Sequence, residues 1–436
     1  MTEIPKLVQT DGYFEQTADG GHRLVSALSK QPIAMDEIAS VIWRMCDGSR
    51  DAIEISQEIA SFYPQDSAAV SIDVINALEK LAEFGALRAR SGESGFARGA
   101  ITPGHGKILV ACYCEPANHS LNWQLHALYQ SFLDLQHPDF DFRVTIPSGA
   151  ESLIDPRIPY RFAESIKQTF KHPMLKKHGF NGYPYANHFL SVSKEDTAYD
   201  YILACDVDTL LLPALADTRP AKFLTGGGGY KTDVTHQRLS EFAQRQGYKN
   251  FGRHSNIGPT WYGESSLVVK SANEVLKTIP ILLREADWRD TSWPDWWIGV
   301  LSLYSSEIVL NELVPDLEIR RGVLDAHTDN KEPNDAIHMH MWHTSNYREE
   351  FSKFAFNDGV YDREDIALTG KAGFALEYAR RGRLLGSAAR LHHLLLSKDA
   401  DATAGSVNGT VRGSRPDSSS PSAMTSLVRL FRRLRG

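Results

Sequence analysis

The sequence predicts an α/β protein in which a small winged-helix-like unit precedes a larger domain built on a mostly parallel sheet. Three observations carry that expectation. From residue 107 onward, short apolar runs alternate with helical patterns, the rhythm of strands that return through crossover helices. Two hairpin-like strands and three amphipathic helical patterns fill residues 1–90. Between the two lies a Gly-, Ser- and Arg-rich stretch, residues 91–106, with the composition of a flexible linker.

The totals exclude several classes. The chain has 436 residues, a hydrophobic fraction of 42% and a formal charge of −7. That is enough for two to three domains and a sizeable core, and too acidic for broad nucleic-acid affinity. No apolar run approaches the ~18 residues of a membrane span. Met1–Lys6 lacks the basic start and apolar core of a signal peptide. Cys46, Cys112, Cys114 and Cys205 are too few and too oddly spaced for a disulfide framework or a zinc cage. A reducing cytoplasm is the expected setting.

In the first unit, Leu7–Phe14 and His22–Leu28 read as strands joined by Ala18-Asp19-Gly20-Gly21, a hairpin signal. Asp36–Met45 carries Ile38, Val41, Ile42 and Met45 on one helical face. Asp51–Tyr63 and Ala68–Leu87 repeat that period. No histidines, cysteines or carboxylates converge in this unit.

In the second, expected at 107–360, Lys107–Tyr113 opens with a buried strand. Leu121–Leu133 is helical, Phe142–Ile146 a strand and Arg161–Phe170 helical. Tyr201–Cys205 is an apolar run of central-strand length, and Asp206 and Asp208 follow at its C-terminal end, where open α/β sheets place their ligands. Residues two apart point the same way, so both carboxylates can meet one Mg²⁺ or Mn²⁺ shared with a diphosphate. Asp-x-Asp alone is common and also reads as two solvated acids in a loop. Ala221–Thr225 is a strand ending in Gly226 and Gly227, candidates for close approach to a cofactor. The glycine run matches no Walker or dinucleotide fingerprint, which favours a plain flexible loop. Asn256–Gly263 reads as a small-residue turn entering a strand at Leu267–Lys270. Thr291–Ile298 opens a helix with Asp295 near its start, among Trp293, Trp296 and Trp297. Late in the domain, His338, His340 and His343 fall within six residues on a strand pattern, and one of them is expected to complete a metal site.

Residues 38–55, with Trp43-x-x-Cys46-Asp47-Gly48, and Val70–Leu87, ending Gly85-Ala86-Leu87, resemble PqqD-type domains. That resemblance implies recognition of the leader segment of a ribosomally made peptide. The peptide would add as a strand beside His22–Leu28 and pack on Ala68–Phe84. The later motifs, in their order, resemble a glycosyltransferase of GT-A fold, most like family 8. This implies a nucleotide-diphosphate sugar donor and a divalent metal, Mn²⁺ or Mg²⁺. Asp206 and Asp208 match the metal- and ribose-binding pair, one of His338, His340 or His343 the third ligand, and Asp295 the acid near the donor sugar. The sequence departs from the pattern at Trp296, where Gln is usual. It also lacks the late Gly-x-x-Lys-Pro-Trp, for whose lysine Arg348 or Lys353 is the substitute. The function expected is transfer of a sugar to an acceptor, a ribosomal peptide or protein held by the N-terminal module. The alternatives are an inactive GT-A scaffold, or a polysaccharide or lipid transferase with a structural module.

Beyond, 361–397 reads helical and 398–425 as a disordered Gly/Ser/Asp-rich tail. Residues 426–436 place Leu427, Leu430, Phe431 and Leu434 on one face and arginines on the others. Such a helix suits weak peripheral contact with the inner membrane face, and a solubilising tail is the plain alternative.

Overall fold

The computed structural model describes residues 6–10, 13–18, 21–26, 32–64, 67–89, 107–230, 232–329, 335–364 and 366–405. The expected linker at 91–106 and basic helix at 426–436 lie outside them. Of the tail expected as disordered at 398–425, residues 398–405 instead continue a helix, Gly370–Gly405, and the rest lies outside the described residues. The chain forms two compact units. One comprises Met1–Arg98, Ser152–Arg157 and Arg383–Gly436, the other Gly99–Glu151 and Ile158–Gly382.

In the small unit, β1 (Leu7–Gln9) pairs antiparallel with β5 (Leu87–Ala89). β2 (Tyr13–Ala18), β3 (Gly21–Ser26) and β4 (Ile33–Met35) form a three-stranded sheet in that order. Three helices follow, α1 (Glu37–Met45), α2 (Ala52–Ala60) and α3 (Ser67–Glu83). Their starts are set locally. The Asp36 side chain accepts from the Ala39 N–H, and Asp51 and Glu54 form a reciprocal capping box. Gly48, at φ +87°, ends the turn after α1. The core comprises Ile42, Trp43, Ile55, Val74 and Leu78, joined by Leu391 and Leu395. Of the stripe expected on α1, Ile42 is buried, whereas Val41 is 47% exposed and Trp43 takes the inward position instead. Each such fully buried side chain contributes roughly 1.5–3 kcal/mol.

One expectation here is corrected. Over His22–Leu24 the expected His22–Leu28 strand cannot accept a peptide at its edge, because β3 is bonded there to β2 on one side and to β4 on the other. Ala27 and Leu28 lie outside the described residues. The edges of this sheet among the described residues are β2 and β4. Beside β4 an apolar groove is lined by Ile33, Met35, Ala77, Leu81 and Phe84, with Lys80.

In the large unit, β6 (Ile108–Tyr113), β7 (Phe140–Ile146), β8 (Tyr160–Phe162), β9 (Tyr201–Ala204), β11 (Leu224–Gly227), β12 (Ile257–Glu264) and β13 (Glu318–Ile319) form one sheet. Their order is β13-β11-β12-β9-β6-β7-β8. Only β12 runs against the rest. Helices α4 (His119–Leu135), α5 (Pro173–Lys177), α6 (Asp233–Arg245), α7 (Ser265–Glu285) and α8 (Leu301–Leu313) connect the strands. A second ribbon pairs β10 (Thr209–Leu211) with β14 (His338–His340). Short helices α9 (Lys353–Asn357) and α10 (Val360–Arg363) precede the long α11 (Gly370–Gly405). The expected class, a mostly parallel α/β domain behind a small winged-helix-like module, is the one observed. The strand order reverses at β6, between β7 and β9, so the switch-point crevice opens at the C-terminal ends of these strands.

Three local readings are corrected. Arg161–Phe170 is not a helix: β8 lies at its start and a short 3-10 turn, Lys167–Thr169, near its end. Asn256–Gly263 is largely strand β12, and Leu267–Lys270 lies inside α7. The cause is Gly258, Pro259 and Gly263 within a central strand, a composition that imitates a turn. Asp295 does not begin a helix. It is exposed in a tight turn closed by a Ser292↔Trp296 bridge, after a cis Trp293–Pro294 bond. Trp296 leaves that turn to stack between Trp288 and Tyr304, at 4.7 and 4.9 Å between ring centroids. No described helix is long and apolar enough to cross a membrane.

Candidate metal centre

β9 ends at Ala204 and delivers Asp206 and Asp208 to the crevice. The β10–β14 ribbon brings the third group. Thr209 pairs with His340, and the Met341 N–H donates to the Asp208 carbonyl at 2.8 Å. Ligand atoms of Asp206, Asp208 and His340 therefore lie within 4.8 Å of one another. Two carboxylate oxygens and one imidazole nitrogen suit Mn²⁺ better than Mg²⁺.

The other two histidines do not join them. His338 is fully buried and points behind the site, where its Nδ1 accepts from the Asp325 N–H at 3.2 Å. Burial holds its pKa down to about 4, so it is neutral. His343 is exposed and stacks on Phe354 at 5.2 Å. Asp295 makes no described contact with the three. Its carbonyl accepts from Thr235 Oγ1.

Gly226 and Gly227 do not open to a ligand as expected. A Cβ on Gly226 would collide with the Asp325 carboxylate, and one on Gly227 with the Arg321 side chain. Gly258 leaves room for the same carboxylate. Gly226 and Gly258 together admit Asp325, which sits at φ +53° and is fully buried. Thr260 Oγ1 donates to Asp325 at 2.6 Å, and His340 Nδ1 lies 3.5 Å away. Asp325 thus lies against the ring whose Nε2 faces Asp208 Oδ1 at 3.2 Å, while His340 Nδ1 is buried without a hydrogen-bond partner.

Three further residues carry no motif. His188 Nδ1 is 2.9 Å from Asp206 Oδ1, and its Nε2 is buried without a hydrogen-bond partner. Lys353 Nζ pairs with Asp208 Oδ2. Tyr185 lies within electrostatic reach of Asp206, Asp208 and Lys353. Of the two cations weighed for the missing family lysine, Lys353 is at the centre, and Arg348 instead pairs with Glu364. Burial opposes charge on Asp208, yet Lys353 and His340 outweigh it and hold its carboxyl well below the usual range. Burial likewise opposes charge on His340, but Asp208 and Asp325 raise its pKa to about 10. In this arrangement His340 and Lys353 supply the positive charge that a divalent cation would replace.

Comparison with known proteins gives matches to both units. Residues 21–87 match the family described as Coenzyme PQQ synthesis protein D (PqqD). Over 74 residues the chain is 38% identical to a PqqA binding protein of Rhodopseudomonas palustris strain TIE-1 and 35% to that of strain BisB5. Each alignment covers 17% of this chain and 70% of the relative. Among solved structures, the apo WbbM bifunctional glycosyltransferase is similar over 65% of this chain and 53% of its own, at 12% identity and TM-score 0.33. The chain thus spans about half the length of that protein. Apo mouse xyloside xylosyltransferase 1 is similar over 50% of this chain and 86% of its own, at 10% identity and TM-score 0.27. The remaining match, to the family described as Domain of unknown function (DUF7164), runs over residues 164–393, more than half of the sequence, and the chain belongs to that family.

Proposed function

We propose that the protein is a metal-dependent glycosyltransferase whose acceptor is a ribosomally made peptide or a protein recruited by the N-terminal module. The observation that carries this reading is the meeting of Asp206, Asp208 and His340 at the C-terminal end of a central parallel strand. Those three residues would hold the cation. When bound, it supplies neutralising charge and Lewis acidity to a leaving nucleoside diphosphate. The chain's own residues do the rest. His188 fixes one oxygen of Asp206, whose side chain is 36% exposed and is the open member of the pair. Asp325 holds the His340 ring in orientation. Lys353 neutralises Asp208 and, once that carboxylate has another partner, offers its ammonium to the diphosphate. Asp295 belongs to the acceptor side in this reading, as an exposed carboxylate in the Trp293 turn.

In the small unit, the β4 edge and the Met35, Leu81 and Phe84 groove suit an extended peptide that adds a strand and seats apolar side chains. The match to PqqA binding proteins supports a peptide partner.

Calorimetric titration of a panel of nucleotide sugars, with and without Mn²⁺, tests the transferase reading. Mn²⁺-dependent binding of one donor, lost in Asp208→Ala, is expected. Absence of binding by every donor would favour a scaffold that uses only its peptide groove.

A further inference from the structure

Between Glu164 and Glu195 the chain has no acidic residue. This stretch carries Lys167, Lys171, Lys176, Lys177 and Lys194 in a protein of formal charge −7. Lys167 is committed to Glu115 at 2.7 Å. Lys171, Lys176 and Lys177 are exposed, and among the described residues none of them has an ion-pair partner. Helix α5 accounts for part of this. Only Leu175 of its five residues is buried, and Lys176 and Lys177 fall in its last turn, where cations are favoured. That explains tolerance of two lysines, not the absence of acids over the whole stretch.

A second feature begins where the lysines end. The His178 ring lies 4.7 Å from Trp297, Trp297 lies 6.4 Å from Phe180, and Phe180 lies 6.1 Å from Tyr185. The Trp297 indole rests over Gly299, where a Cβ would collide with it. Phe180 and Trp297 are half-buried and Tyr185 is 50% exposed. The Tyr185 hydroxyl reaches the electrostatic neighbourhood of Lys353 and Asp208. The rings therefore form a track that begins at His178, next to Lys177 in the chain, and ends at Tyr185, three residues before His188, which touches Asp206 at 2.9 Å, all within the large unit.

We propose that this track is the acceptor-docking surface and that the acceptor segment it takes is an acidic polypeptide bearing aromatic side chains. The inference rests on the transferase reading for the word acceptor. The lysines match carboxylates, and the inlaid rings match flat side chains. A peptide is favoured over an anionic lipid surface because the rings lie along a track instead of projecting as anchors into an acyl layer.

The test uses the full chain and a fluorescein-labelled peptide of alternating Glu and Tyr, followed by fluorescence anisotropy. A Lys/Tyr peptide and vesicles containing anionic phospholipid serve as rivals. The acidic peptide is expected to bind, to weaken with added salt, and to lose about tenfold in affinity in K171E/K176E/K177E, three exposed charges acting together. Lys277→Glu, on the exposed side of α7, should bind as the parent does. Equal binding by the triple variant, equal binding of the basic peptide, or lysine-dependent binding of vesicles alone would overturn the proposal. Titrating nucleotide sugars into the parent protein and into the same triple variant separates the two readings. Loss of donor binding in the parent protein sinks the transferase, whereas loss of peptide discrimination sinks only the docking surface.

Discussion

The carboxylate of Asp325 occupies the space in which Gly226 would carry a Cβ. Gly258 opens the same space from the neighbouring strand. The glycines at this end of the sheet therefore bear on the candidate metal centre at one remove, through Asp325 and His340.

Gly226→Ala should displace Asp325 and release the His340 ring. The expected outcome is a lower thermal midpoint and a Mn²⁺ affinity reduced about 10–100-fold, the usual cost of losing an orienting partner. Electron paramagnetic resonance of free Mn²⁺ measures the second effect. Wild-type affinity in this variant would mean that Asp325 does not position the ligand.

Lys353→Met should act in opposite directions on two ligands. It removes the ammonium that pairs with Asp208, so Mn²⁺ should bind more tightly. It also removes the cation nearest the proposed diphosphate, so a nucleoside diphosphate should bind less tightly at saturating Mn²⁺. Calorimetry with each ligand separates the effects. A fall in both would assign Lys353 to holding the fold.

The tryptophans of the 293–297 turn should divide sharply. Trp296 is 2% exposed and stacked on two rings, and its replacement by Ala should cost about 3–5 kcal/mol. Trp293 is 56% exposed, and Trp293→Ala should stay within about 0.5 kcal/mol. Urea unfolding of both variants checks the pair.

Glu79 gives the small unit a pH dependence. Burial raises its pKa to about 7 from an ordinary 4.5, against the opposing pull of Arg390. The folded state then holds a proton that the unfolded chain has already lost. Its contribution is complete below about pH 4.5 and disappears as pH rises through about 7. Glu79→Gln should flatten that decline and leave the unit more stable at pH 8 by on the order of 2 kcal/mol. Urea midpoints from pH 5 to pH 8 would show it, and parallel curves for parent and variant would refute it.

Much of this centre could be read before the fold was known, and the unread part has a common cause. Asp206 and Asp208 stand out because an apolar run of strand length precedes them. The histidines could be narrowed only to His338, His340 and His343. Choosing His340 needs the β10–β14 register, which local pattern does not encode. His188 and Asp325 carry no motif and reach the site only through tertiary packing. A signal for Asp325 did exist: two glycines on adjacent strands, Gly226 and Gly258, vacate one shared space. The same residues made β12 look like a turn, because a strand that yields room to a buried carboxylate loses the side chains by which strands are recognised.

The pairing of Thr209 with His340 also sets an order of events. Asp206 and Asp208 emerge from synthesis more than a hundred residues before the imidazole that joins them. A nascent chain that stops short of β14 has the acidic pair but no third donor. Closing so long a loop adds only modestly to its entropic cost, but the closure requires β14 itself. On the proposed reading, a chain truncated before β14 should therefore bind Mn²⁺ more weakly than the full chain, although both carry Asp206 and Asp208.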